Sequence, residues 1–172
     1  MRLPCMGFET GDVLAMNNKV FDIKELKNEL LKYKNGKIVF TNGCFDVLHI
    51  GHVRLLQFAK QQGDCLVIAI NSDESVRRLK GAKRPIVPQN DRAEVLSALA
   101  CVDYIVIFDE DTPVETISAL KPDIHVKGGD YDMEKIPEAK IISSYGGEMR
   151  RFEFVEGRSS SNIVERILKA YG

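Results

Sequence analysis

The chain has 172 residues, of which 44% are hydrophobic and 28% charged, and its formal net charge is −1. This length suits one ordinary domain with a sizeable core. Because the net charge is close to zero, the chain has no general attraction for polyanions, and neither nucleic acid nor a membrane surface is the expected partner. Any anion that it binds must be held by local groups.

The composition also predicts a cytoplasmic protein. No apolar run approaches the roughly 20 residues that cross a bilayer, and the first residues lack the charged-then-apolar order of a secretion signal. The cysteines are widely spaced and form no CxxC pair, so we expect reduced thiols at all four positions: Cys5, Cys44, Cys65 and Cys101.

Taken in chain order, residues 1–20 show no clear period and are predicted to form an N-terminal arm, whereas residues 21–172 are predicted to form a single domain. An amphipathic segment, 21–36, is followed by β-branched runs that alternate with helical patterns. Strands are predicted at 37–41, 65–71, 103–108, 123–128 and 150–155, and helices at 51–63, 90–100, 112–121 and 161–172. The alternation predicts an α/β fold with a doubly wound parallel sheet.

The first predicted strand runs into "TNGCFDVLHIGH", residues 41–52. Gly43 permits a tight turn, and Gly51 permits a close backbone approach at the start of the next helix. His49 and His52 then lie beside a helix N-terminus, whose free N–H groups suit a phosphate. Two rival interpretations are a zinc site, for which clustered further ligands are lacking, and two histidines that simply pack.

Three other segments lie near predicted strand ends or a helix start. The fourth strand exits into "KGGDYD", where Gly128 and Gly129 expose amides and Asp130 offers a carboxylate to hydroxyl groups. The second strand exits into "NSDES" and then 77–88, where glycine and proline predict a mobile loop rather than a helix face. Its cations suit a polyphosphate, although a solvated charge run is the usual explanation: Arg77, Arg78, Lys80, Lys83 and Arg84.

The third segment, "EGRSSSNIVERI", places three serines before the last helix. One serine is an ordinary N-cap, and Asn162 with Glu165 could form a capping box. Three hydroxyls beside Arg158 exceed what a cap requires, which favours a second phosphate-binding helix start. Together, the two helix starts, the basic segment and the glycine-lined strand exit predict a nucleoside triphosphate pocket.

The motifs "NGCFDVLHIGH" and "SSSNI", in this strand order, resemble the HxGH nucleotidyltransferases. The segments "FTNGCFDVLHIGHV", "NSDESVRRLKG", "KPDIHVKGGDY" and "VEGRSSSNIVERI" are most similar to the heptose 1-phosphate adenylyltransferases of the ADP-heptose pathway, over roughly residues 36–168. That branch usually has Ser-Thr-Thr where this chain has Ser159, Ser160 and Ser161, so the hydroxyls are kept. The branch is often fused to a sugar kinase; this chain resembles the stand-alone form, which predicts a separate heptose kinase.

The resemblance implies a Rossmann-like nucleotidyltransferase fold and transfer of AMP from ATP to heptose 1-phosphate, giving ADP-heptose and pyrophosphate. His49 and His52 are expected to stabilise the transition state, with Lys80 and Arg84 on the departing pyrophosphate. Asp46 and Asn71 are expected to contact the sugar phosphate. The expected ATP-binding residues are Asn42, Gly43, Cys44, Phe45, Lys127, Gly128, Gly129, Asp130, Arg158, Ser159, Ser160 and Ser161. Magnesium is expected on the ATP rather than in a protein cage.

Other functions stay open on the sequence. The same pocket would serve a cytidylyltransferase acting on glycerol or another polyol phosphate, and a regulator that binds nucleotide without chemistry is the alternative of another class. A homodimer is common in similar proteins. The apolar stripe of residues 21–34 would suit such a contact, although ordinary packing explains it as well.

Overall fold

The predicted α/β sheet is confirmed by the computed structural model, which describes residues 19–129, 136–153 and 159–172. Five strands, all parallel, form one sheet in the order β3-β2-β1-β4-β5. Their bounds are β1 (Ile38–Gly43), β2 (Cys65–Asn71), β3 (Tyr104–Phe108), β4 (Ile124–Gly128) and β5 (Glu148–Phe152).

Helices cover both faces of the sheet. They are α1 (Ile23–Leu30), followed by a 3-10 turn (Leu31–Tyr33), α2 (Ile50–Lys60), α3 (Asp73–Lys80), α4 (Gln89–Ser97), α5 (Val114–Leu120), α6 (Pro137–Ser144) and α7 (Ser160–Tyr171). Because parallel strands need crossover connections, β1, β2, β3 and β4 are largely buried between two helical layers, whereas the edge strand β5 is partly exposed.

The central strand β2 shows why its sequence is apolar without a break. All seven of its residues are buried. Leu66, Ile68 and Ile70 pack with α2 and α4, whereas Cys65, Val67 and Ala69 pack on the other face with α1, α5 and α6. A strand with helices on both faces has no solvent-exposed face, so its residues do not alternate between apolar and polar.

The strand order reverses beside β1. From β1 the chain moves through β2 to β3 on one side, and then crosses to β4 and β5 on the other. Neighbouring connections diverge at such a point, which leaves a crevice beyond the carboxyl ends of β1 and β4. The motif that follows β1 therefore starts at this crevice.

The structure corrects several local predictions. Arg77, Arg78 and Lys80 lie in helix α3, not in a mobile loop; Ser72 caps that helix by accepting a hydrogen bond from the Ser75 N–H at 3.0 Å. Pro113 is the N-cap residue of α5, so this helix begins at Val114, two residues after its predicted start at 112. β5 begins two residues before its predicted start, and helix α6 was not predicted.

The described part of the predicted N-terminal arm is attached to the sheet. The N–H of Phe21 donates to the Ile105 carbonyl at 2.9 Å, and the N–H of Ile105 donates to the Lys19 carbonyl at 2.7 Å. The α1 stripe is packing surface, since Leu26 and Leu30 are buried against the sheet. Within the described residues, none of the helices is long and apolar enough to cross a bilayer.

Candidate active site

A cavity of about 940 Å³ lies beyond the carboxyl ends of β1 and β4. It is the larger of the two cavities described and is lined by polar and charged groups from several loops. The predicted site residues on its wall are Asn42, Gly43, Cys44, Phe45, Asp46, His49, His52, Asn71, Lys80, Arg84, Lys127, Gly128, Ser159, Ser160 and Ser161. Gly129 follows β4 but is not on the wall, and Asp130 and Arg158 lie outside the described residues.

The loop between β1 and α2 does not turn where the sequence predicts. Gly43 ends β1 and does not have a positive φ, whereas Phe45 and Val47 do, at 49° and 52°. A left-handed backbone is costly for these residue types, and most of all for a β-branched one. These two residues flank Asp46, so the strained turn sets the position of that carboxylate.

The two histidines of the motif lie face to face at the start of α2. Their ring centroids are 3.8 Å apart with 26° between the planes. His49 is the N-cap residue, and its Nδ1 accepts a hydrogen bond from the N–H of Gly51 at 3.1 Å. The ring of Phe45 contacts His52 with 5.1 Å between centroids. The local sequence thus fixes both imidazoles at a helix N-terminus.

Both imidazoles are neutral near pH 7. Burial lowers the pKa of His49, and burial together with the neighbouring His49 lowers the pKa of His52 to about 4. Because Nδ1 of His49 accepts, its proton is on Nε2. Nδ1 of His52 is buried without a hydrogen-bond partner among the described residues, and a buried bare N–H costs more than a buried lone pair. Each ring therefore presents a neutral Nε2–H donor.

Asp46 joins three segments around the cavity. Its carboxylate pairs with the guanidinium of Arg84 and accepts from the N–H groups of Ile86 and Val87 at 3.0 Å each. Burial raises the pKa of Asp46, but those two N–H donors and Arg84 outweigh burial and hold the pKa below its usual range. The carbonyl of Asp46 accepts from the hydroxyl of Ser160. The carboxylate is therefore ionised and engaged within the protein.

Arg92 holds together segments around the cavity, and the sequence did not predict this role. Its side chain is buried and donates to the carbonyl of Cys44, to the carbonyl of Val87 at 2.9 Å and to the carboxylate of Asp73 at 2.7 Å. One guanidinium thereby holds together the β1–α2 loop, the segment before α4 and the start of α3. A cation inside a helical pattern looks like a surface residue, and nothing in the sequence indicated these three acceptors.

The start of α7 uses its three serines differently. Ser159 is the N-cap residue and its Oγ accepts from the N–H of Asn162 at 3.1 Å, so the predicted box of Asn162 with Glu165 is not the cap. Ser160 donates its hydroxyl proton to the Asp46 carbonyl. Ser161 is exposed toward the cavity side of the helix start. The hydroxyl protons of Ser159 and Ser161 have no acceptor in the described part of the chain.

The far wall of the cavity combines the end of β4 with the start of α6. Lys127 pairs with the carboxylate of Glu138, whose side chain is buried. Sequence reasoning missed Glu138 because α6 was not predicted, although Pro137 at a first helical position followed by an acidic residue is a usual helix start. On the opposite side, Asn71 donates to the Ser75 hydroxyl at 3.0 Å.

The described residues contain no group of three or more His, Cys, Asp or Glu side chains arranged to hold a metal ion. The zinc interpretation of His49 and His52 accordingly has no third ligand within that part of the chain. The carboxylate of Asp46 is not free to bind magnesium either, because it is engaged by Arg84 and two backbone N–H groups.

A parallel sheet with its cavity at the strand-order reversal, and two helix N-termini that open into that cavity, define an α/β nucleotide-binding protein. The profile of the cytidylyltransferase-like family matches residues 40–166, and the chain belongs to that family. The resemblance to HxGH nucleotidyltransferases is thereby confirmed.

Similar proteins extend this assignment. The chain is 52% identical over 169 residues to the bifunctional protein HldE of Geobacter metallireducens and 54% identical over 149 residues to that of Helicobacter pylori. These matches cover 97% and 87% of this chain but only 34% and 31% of the relatives. The chain thus spans about a third of the length of these relatives.

Two solved structures share the fold. A lipopolysaccharide core biosynthesis protein from Thermoplasma volcanium is 31% identical with a TM-score of 0.57, and the match covers 70% of this chain and 97% of that one. A pantoate-beta-alanine ligase from Francisella tularensis, at 14% identity and a TM-score of 0.56, shows likeness of fold alone over 87% of this chain and 78% of that one.

Proposed function

We propose that the protein transfers AMP from ATP to D-glycero-D-manno-heptose 1-phosphate. An oxygen of the sugar phosphate attacks the α-phosphorus of ATP, the bond from that phosphorus to the bridging oxygen of the β-phosphate breaks, and ADP-heptose and pyrophosphate result. Support comes from the HxGH-type motif, from the family match over residues 40–166 and from HldE relatives that are more than 50% identical.

The observation that carries the proposal is the link between the two helix starts. The hydroxyl of Ser160 at the start of α7 donates to the carbonyl of Asp46, three residues before the N-cap residue of α2. The serines and the stacked histidines therefore line one cavity in a fixed relation. A triphosphate in that cavity would meet two sets of free backbone N–H groups.

The nucleophile is already an anionic phosphate, so the reaction needs no strong base. It needs the reactants in line and donors aimed at the oxygens that gain charge. The Nε2–H groups of His49 and His52 supply neutral donors of this kind. The hydroxyl protons of Ser159 and Ser161 are available to the β- and γ-phosphates, whereas Ser160 is a positioning residue in this scheme.

Lys80 is proposed to neutralise the departing pyrophosphate from the end of α3, on the cavity wall. Arg84 is also proposed to act there, through the side of its guanidinium that is not paired with Asp46. Asp46 and Asn71 are proposed to help bind the sugar phosphate. Asp46 would act chiefly by holding the loop between β1 and α2 in place. Magnesium would arrive on the triphosphate and supply charge neutralisation there. We place the reaction in the cytoplasm, where ATP is supplied.

The test is pyrophosphate release from a matrix of substrates: ATP or CTP, each with heptose 1-phosphate, glycerol phosphate or another polyol phosphate. Release with ATP and heptose 1-phosphate, with ADP-heptose recovered, is expected. Release only with CTP and a polyol phosphate would replace the proposal with the cytidylyltransferase, and nucleotide binding without release from any pair would replace it with the regulator. His52→Asn, which keeps a polar side chain, serves as the inactive control.

A further inference from the structure

His125 is a buried histidine that the proposed chemistry does not use. It is the second residue of β4, fully buried, and lies opposite Phe40 of β1. The two rings meet edge to face with 5.2 Å between centroids. Its one polar contact within the described chain joins Nε2 to the Oδ1 atom of Asn42 at 3.1 Å. Nδ1 is buried without a hydrogen-bond partner there.

These contacts fix the tautomer of His125. The ring is neutral because burial lowers its pKa to about 3. The Oδ1 atom of Asn42 can only accept, so Nε2 carries the proton and donates it. The reverse arrangement, with the Asn42 amide donating to Nε2, would leave a protonated Nδ1 buried without an acceptor. A buried orphan N–H is the costlier arrangement.

The direction of this hydrogen bond orients Asn42. Asn42 lies next to the end of β1 and is on the wall of the cavity. With Oδ1 turned to His125, the Nδ2 group is on the other side of the amide plane. Nδ2 has no hydrogen bond to the described residues and is not among their buried unpaired atoms. Two N–H donors are therefore left without a described partner on a side chain that lines the crevice between β1 and β4.

We propose that His125 is a positioning residue for substrate binding: it holds the Asn42 amide with its N–H groups toward the cavity, where they bind an oxygen of a substrate. The oxygen is a phosphate or hydroxyl oxygen, since both accept and neither requires a charged partner. The inference rests on the proposed function, because it assigns the oxygen to ATP or to the sugar phosphate. The competing explanation is that His125 only fills the core.

The kinetic test compares the parent, His125→Leu, Asn42→Ala and the double variant, with KM measured for each substrate and kcat for each protein. His125→Leu should raise KM for one substrate by about five- to tenfold, which is the effect of one hydrogen bond. The substrate whose KM rises identifies the source of the oxygen. Since His125 acts through Asn42, the double variant should be no worse than Asn42→Ala.

Tyr145→Phe is the matched control, because the Tyr145 hydroxyl is another buried polar atom without a described partner and lies off the cavity wall. Its KM values should equal those of the parent. Unchanged KM values in His125→Leu, or effects of the two substitutions that multiply in the double variant, would overturn the proposal.

A measurement on the parent protein covers the case in which His125→Leu does not fold. In a sample with ¹⁵N-labelled histidine, NMR should show that Nε2 of His125 is protonated and that its Nδ1 is unprotonated. The opposite tautomer would overturn the proposal. Direct titration with ATP and with the sugar phosphate measures the dissociation constants of the parent and the same three variants, and the same pattern is expected. If the parent binds but does not turn over, the proposed function fails while the affinities of the variants still decide the role of His125.

Discussion

Lowering the pH from about 7.5 to about 5 should destabilise the fold through its buried histidines. In the folded protein the pKa values are about 4 for His52 and about 3 for His125, against 6.5 for an unperturbed histidine. At pH 5 both groups are neutral when folded and protonated when unfolded. The unfolded state then binds more protons, so stability falls as the pH falls below 6.5.

The size of the effect follows from the width of that window. Each pH unit below 6.5 costs about 1.4 kcal/mol per histidine. The unit and a half down to pH 5 therefore costs about 2 kcal/mol for His125 and about 2 kcal/mol for His52. The lowered pKa of His49 acts in the same direction. The lowered pKa of Asp46 matters only at more acidic pH, below the usual range of a carboxyl.

Urea denaturation followed by circular dichroism at both pH values measures this loss in the parent and in His125→Leu. The variant should lose about 2 kcal/mol less than the parent between the two conditions. Tyr145→Phe, which removes no titrating group in this range, should lose as much as the parent. An equal loss in the parent and in His125→Leu would refute the burial of a neutral imidazole in β4.

Four substitutions test the site itself. His52→Asn should lower kcat/KM by about 100-fold or more, since one transition-state donor is lost; retention of activity by a folded variant would refute the donor role. Asp46→Ala should lower the free energy of unfolding by about 3 kcal/mol, because the half-buried Arg84 and the N–H groups of Ile86 and Val87 lose their buried acceptor, as urea denaturation would show. Lys80→Ala should raise KM for ATP several-fold. Arg77→Ala, on the same helix but off the cavity wall, should leave KM unchanged. A KM for Lys80→Ala equal to that of the parent would mean that Lys80 is only a solvated cation. Ser159→Ala should cost about 1 kcal/mol as a lost N-cap, and a variant with parental stability would contradict that cap.

The fold was predictable because its signals are local and repeated. Cys65–Asn71 is a run of seven buried residues, and the structure places the strand β2 at the predicted residues. The histidines of the motif lie at the start of a helix, as predicted, because the apolar period resumes directly after His49. The parallel sheet follows from the alternation of strand and helix, which needs no knowledge of long-range contacts.

The predictions that were wrong or missing concern residues whose environment depends on contacts with distant parts of the chain. The sequence "RRLK" is rich in cations and predicts part of a loop, but it continues α3, where Val76 is buried and Arg78 donates to the Asp111 carboxylate, 33 residues away. Arg92 and Glu138 are charged residues buried by partners 19 and 11 residues away, Asp73 and Lys127, and no local pattern indicates such pairs. The functional roles of the site residues, and the division of the chain at residue 20, stay predictions.

The pairing of Lys19 and Phe21 with β3 determines how this sheet can meet another chain. An unpaired edge strand is a template for a further strand. The edge at β3 is occupied at Ile105 by the chain itself, and β5, on the opposite edge, carries charged side chains at Glu148, Arg150 and Arg151. Growth of the sheet from copy to copy is thus opposed at both ends. If two copies associate, the strength of their contact would therefore be set by side chains rather than by backbone hydrogen bonds between sheets.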